Sequence, residues 1–198
     1  MASLLDVLGA TIAGSLVLLM IFTSLFNIQV ISYNTQLQIG LTKMSEDLIT
    51  GRRVGGIDQP GIESILSKVG AGVSTSTDPI IEATSSSFKF LGQSSPTSVI
   101  STFYFVQESE TSDGFPLYVY QNDMSNPFLG PFWMADTLEI TYNDMNNNVV
   151  NNPDSNHDMI RSIEVNLTFF YNTYRPDIDK KLIRHNVVFW KYFKNLYL

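Results

Sequence analysis

Apolar residues fill the first thirty positions almost without a break, and the hydrophobic period then changes twice. Residues 7–31 read VLGATIAGSLVLLMIFTSLFNIQVI, with neither proline nor an ionisable side chain. A helix needs about 20 apolar residues to cross the hydrocarbon core of a bilayer, so this run predicts a membrane-spanning helix. Beyond Ile31, Leu37, Leu41, Met44 and Leu48 recur at spacings of four, three and four, with Gln36, Gln38, Lys43, Glu46 and Asp47 between them. That spacing puts one apolar stripe on one helix face. Gly51 supplies a stop, and the Gly55-Gly56 pair ends any helix. The pattern therefore predicts one helix over roughly residues 3–50, about 70 Å long at 1.5 Å per residue. Residues 1–31 form its membrane half, and residues 32–50 an amphipathic half suited to cover a folded domain.

Residues 51–87 are rich in Gly, Ser and Thr and read as a connector. The patch 62–69 (IESILSKV) fits a helical turn or two, and 73–79 a loop. From Ser87 the period becomes two. Phe88 and Phe90 flank Lys89, and the stretches 99–106 (VISTFYFV), 117–120 (LYVY), 138–142 (LEITY), 163–171 (IEVNLTFFY) and 182–190 (LIRHNVVFW) are β-branched and aromatic. Each is bounded by Gly, Pro, Asn or Asp. Five or six strands with no helix-period segment between them predict an antiparallel sheet over 88–198. The fold class expected is α+β, a long N-terminal helix packed by its second half on that sheet. The loop 143–158 (NDMNNNVVNNPDSNHD) is expected to be mobile.

Charge narrows the function. The chain has 12 Lys and Arg against 19 Asp and Glu, a net charge of −7. Nucleic acid attracts clustered basic residues, so none is expected as a partner. Few basic residues flank the apolar run, which argues against a strong preference for anionic head groups. Cysteine is absent, so no disulfide, thiolate nucleophile or Cys-based metal site exists. The two histidines, His157 and His185, lie far apart in sequence. The N-terminus differs from a cleaved secretory signal, because its first residues are acidic rather than basic and its apolar run is long. Lys43, Arg52 and Arg53 follow the run, a weak orientation signal ahead of a long domain.

Several residues carry candidate chemistry. Asp6 is the single acid at the mouth of the apolar run. Carried to the bilayer centre, a carboxylate costs roughly 2.5–3.5 kcal/mol, so a compensating partner is expected. Ser3, three residues earlier, would close a capping box with it at the positive end of the helix dipole. Gly9, Ala10, Ala13 and Gly14 are small enough to let membrane helices approach closely. Asp154, Asn156 and Asp158 have the spacing that opens a calcium loop, but Met159 and Val165 stand where Gly and Glu are wanted. A solvated loop is the stronger reading, there and at Asp144, Asn146 and Asn148. Asn166-Leu167-Thr168 fits a glycosylation acceptor but falls in mid-strand. Phe128, Phe132 and Trp133 around Gly130-Pro131 are expected to pack over one end of the sheet, with an exposed partner patch as the other reading. No nucleophile, base or oxyanion arrangement assembles near Glu108 and Glu110. No enzyme activity and no cofactor are expected.

The layout and the motifs resemble a known family. Ser3-Leu4-Leu5-Asp6-Val7-Leu8 is similar to the S-L-L-E-V-L entry motif of type IV pilins and pseudopilins, with the acid fifth when counted from Ala2. This chain carries Asp where the family usually has Glu, and it lacks the Pro that commonly kinks the family's membrane helix. Phe103-Tyr104-Phe105-Val106, Pro116-Leu117-Tyr118-Val119-Tyr120, Leu138-Glu139-Ile140-Thr141-Tyr142 and Ile163-Glu164-Val165-Asn166-Leu167, with the ending 190–196 (WKYFKNL), resemble the minor, GspJ/PilW-like pseudopilins. The resemblance implies a structural subunit of a type IV pilus or type II secretion-like filament. It implies that Asp6 pairs with the α-amino group of a neighbouring subunit, and that Gly9, Ala13 and Gly14 pack helix against helix. The implied partners are other pilin or pseudopilin subunits, an inner-membrane assembly platform and membrane lipid. The implied location is the inner membrane with an extracytoplasmic domain, or the filament itself. The alternative is a single-pass anchored extracytoplasmic binding domain.

Overall fold

The computed structural model describes residues 3–54, 57–170 and 183–197. It divides into two compact units, residues 1–40 and 41–198. Helix α1 spans Leu4–Thr50, 47 residues, and belongs to both. It stops where the sequence predicts, because Gly51 takes a φ of +91° that side chains resist, and a Cβ there would overlap the Gln59 carbonyl oxygen. The Gly55-Gly56 stop, Tyr171 and Leu182 lie outside the described residues.

Residues 51–87, expected as a connector, carry structure of their own. Strands β1 (Gly51–Val54) and β2 (Ile57–Pro60) form an antiparallel hairpin. The short helix α2 (Ile62–Leu66) follows, then β3 (Ile80–Ala83). Ile62, Ile65, Leu66, Val69, Ile80 and Ala83 are all buried in the core. The helical turn expected within 62–69 is α2, whereas β1, β2 and β3 lie in stretches whose polar composition reads as loop.

The main sheet continues with β4 (Ser87–Gln93), β5 (Ile100–Gln107), β6 (Phe115–Gln121), β7 (Asp123–Met134), β8 (Glu139–Asn143), β9 (Ser162–Phe170) and β10 (Arg184–Tyr192). Its order is β10-β9-β7-β6-β5-β4-β3, with β8 also paired to β9, and every pairing is antiparallel. Alternation sets the inner face. Phe88, Phe90, Phe103, Phe105, Leu117, Val119, Ile163, Val165, Leu167 and Phe169 point into the core. Leu41 and Leu48 of α1 and the α2 residues bury against them, with Met44 packed alongside. Each such burial stabilises by about 1.5–3 kcal/mol. Phe193, beyond β10, stacks on Phe88 with ring centroids 5.6 Å apart.

One backbone segment, residues 68–71, approaches β4 closely. Gly70 N–H donates to Leu91 O at 2.9 Å, and Gln93 N–H donates to Ala71 O at 3.0 Å. Gly92 sits between these bonds, and a Cβ there would overlap Lys68 O.

The loop 143–158 is not the loose element that its composition suggests. Asp144 Oδ1 accepts N–H bonds from Asn146 and Asn148, both at 2.8 Å. Two 3₁₀ turns follow, Pro153–Ser155 and His157–Met159. Asp154 Oδ1 accepts the Ala83 N–H at 3.0 Å, and His157 Nδ1 lies 3.0 Å from Asp78 Oδ2. The Asn and Asp side chains that mark the stretch as loop also satisfy its backbone and fix its shape.

Candidate functional site

The first half of α1 shows the sharpest mismatch with an aqueous surrounding. Every residue from 3 to 29 is exposed, including Leu4, Leu8, Leu19, Met20, Phe22 and Phe26. An 18-residue window of the helix reaches a mean hydropathy of 2.2 with none of it buried. One helix of this chain is thus long and apolar enough to cross a membrane.

Four hydroxyls of this helix bond back to its own carbonyls. Thr11 Oγ1 donates to Val7 O at 2.8 Å, Ser15 Oγ to Ile12 O at 2.8 Å, Thr23 Oγ1 to Leu19 O at 2.8 Å and Thr35 Oγ1 to Ile31 O at 2.9 Å. In hydrocarbon no water replaces a missing partner, and this back-bonding removes the need for one. Sequence reading passed over these residues, although a hydroxyl four residues after any helical carbonyl is the signal.

At the mouth of the helix, Ser3 and Asp6 bond reciprocally. Ser3 N–H donates to Asp6 Oδ2 at 3.0 Å, and Asp6 N–H donates to Ser3 Oγ at 3.3 Å. This is the capping box expected from the spacing. It uses one carboxylate oxygen. Among the described residues Asp6 Oδ1 accepts no hydrogen bond, so the acid can cap its own helix and still accept a donor from outside.

Gly9 and Gly14 have nothing within 4 Å of where a Cβ would stand. Among the described residues nothing requires glycine at either position. Gly9 and Ala13 are four apart, as are Ala10 and Gly14, so the small residues form two adjacent rows. A second helix could approach along these rows more closely than along the leucines.

The other sequence candidates do not converge. Asp154 Oδ1 is engaged with Ala83 N–H, while Asn156 Nδ2 donates to Asn151 O at 2.8 Å and Asn152 O at 3.1 Å. The carboxyl of Asp158 shares no centre with them, and its carbonyl accepts from Arg161. Among the described residues no three His, Asp or Glu side chains are grouped to hold a metal ion. Asn166 lies within β9, where its Nδ2 donates to Glu139 Oε2 at 3.0 Å. Phe128, Phe132 and Trp133 belong to β7. Phe132 packs against the core, Trp133 is half-buried and Phe128 is exposed. Glu108 Oε1 accepts the Tyr120 hydroxyl at 2.9 Å. Burial of that phenol, and then the Glu108 carboxylate beside it, push its pKa up to about 12.

No family model, curated protein or solved structure matches this chain.

Proposed function

We propose that this chain is a structural subunit, a minor pilin or pseudopilin, that joins a filament through the first half of α1. One observation carries the reading. The first half of a long helix is apolar and exposed and bears a single carboxylate at its mouth, with one oxygen fixed by its own cap and the other accepting no hydrogen bond among the described residues. A plain anchor needs no acid there. An assembling helix gains from one, because a buried charge is tolerated when paired and penalised when unpaired. Pairing with the terminal amine of a neighbouring subunit would set the axial register, and the small-residue rows would admit the neighbouring helix. Before assembly the chain would rest in the inner membrane with residues 41–198 outside the cytoplasm, bound to an assembly platform.

A single-pass anchored binding domain is the second reading, favoured by the exposed Trp190 on the sheet. Replacing residues 1–31 by an unrelated membrane anchor separates the two. Loss of co-purification with sheared filaments is the result expected. Full incorporation of the chimaera would overturn the subunit reading.

A further inference from the structure

β10 runs along one margin of the sheet, and its outer face bears Val188, Trp190 and Tyr192 at alternate positions. Trp190 and Val188 are about half exposed. The rings of Trp190 and Tyr192 lie 6.0 Å apart, inclined at 37°. Register places Glu164 directly opposite Trp190 and Ser162 opposite Tyr192. The turn after β8 brings up Asp144 and the exposed Met145. These three segments enclose an open cleft of about 560 Å³, within the range of binding clefts.

The chemistry of its walls is one-sided. Two aromatic faces, a thioether and two carboxylates line it, and among the described residues no Lys or Arg does. The Asp144 carboxyl is held below the usual carboxylate range, chiefly by the Asn148 N–H bond, so it stays anionic. Two anions beside electron-rich ring faces favour a cation that sits over a ring and hydrogen-bonds to carboxylate. A neutral sugar would use the rings but leave both charges unbalanced. The cleft is open, and the exposed Val188 stands two residues before Trp190 on the same face of β10, which suits a side chain carried on a polypeptide better than a small free ion.

We infer that this cleft binds a guanidinium or ammonium side chain presented by a partner protein. The inference rests on residues 41–198 alone and stands apart from the assembly role of α1.

The test uses the full chain in detergent micelles. The probes are acetyl-Gly-Arg-Gly-amide, its citrulline counterpart of the same shape without charge, and chitotetraose. Trp133→Phe leaves Trp190 as the sole tryptophan reporter, and calorimetry on the unmodified chain checks the result independently. The expected outcome is saturable binding of the arginine peptide, with Kd at least tenfold weaker for the citrulline peptide. The same weakening is expected for Glu164→Gln and for Trp190→Leu, while Asp113→Asn, an equal loss of charge elsewhere, binds as the parent does. No arginine binding, equal affinity for citrulline, or equal loss in Asp113→Asn would overturn the proposal. Chitotetraose binding abolished by Trp190→Leu, without arginine binding, would assign the cleft to sugars instead.

Discussion

The Tyr142 hydroxyl stands between two carbonyls of a single turn, 2.8 Å from Thr84 O and 3.1 Å from Ser87 O. It ties β8 to the turn between β3 and β4, from opposite ends of the strand sequence. Its ring is buried and lies 5.6 Å from Phe88. Tyr142→Phe removes the hydrogen bonds and keeps the ring, so about 1 kcal/mol of stability should be lost. Tyr142→Ala also opens a cavity and should cost about 3–5 kcal/mol. Urea unfolding should show both as a shift in midpoint at unchanged slope.

Gly92→Ala should be a severe change for one methyl group. The new Cβ would meet a backbone oxygen, Lys68 O, which cannot rotate away. Overpacking of this kind costs about 1–3 kcal/mol, or a fall of several degrees in Tm for a domain of this size. An unchanged Tm would contradict the close approach.

Alkaline pH should destabilise the domain through Tyr120. Its folded pKa is raised from 10.0 to about 12, first by burial and then by Glu108. The unfolded chain therefore releases this proton earlier, and stability present below pH 10 is lost as pH rises toward 12. Glu108→Gln removes the neighbouring charge, brings the folded pKa closer to the unfolded one, and should make the loss smaller and complete at lower pH. Tyrosinate absorbance at 295 nm should show Tyr120, and the deeper Tyr142, titrating above the ordinary tyrosine range.

Capping and docking can be told apart at the helix mouth. Ser3→Ala and Asp6→Ala each break the reciprocal pair, and each should fray the first turn by about 1 kcal/mol. Amide exchange over residues 4–8 would register that equally for both. Filament incorporation should fail only in Asp6→Ala, since only that variant lacks the carboxylate. Equal incorporation of the two variants would reduce Asp6 to a cap.

What could be read in the sequence follows from how each element is stabilised. Helix α1 and strands β4, β5, β6, β8, β9 and β10 announce themselves because one face is continuously apolar, as in Leu41-Met44-Leu48 or Ile163-Val165-Leu167. β7 did not, because Pro127, Gly130 and Pro131 imply loop. It pairs with β6 through three register shifts, which lets those residues stay within a strand. β1 and β2 were hidden by their shortness. The capping box was legible because it is local, three residues from end to end. The cleft beside Trp190 was not, since Asp144, Glu164 and Trp190 meet only through the pairing of separate strands.

The stacking of Phe193 on Phe88 also has a consequence in time. Leu41 and Leu48 leave the ribosome early, yet the aromatic layer that they share is closed by a ring synthesised about 150 residues later. The core cannot be completed before Phe193 has been made. Any crossing of a membrane by the residues ahead of Phe193 would, if it kept pace with synthesis, precede the closing of that core.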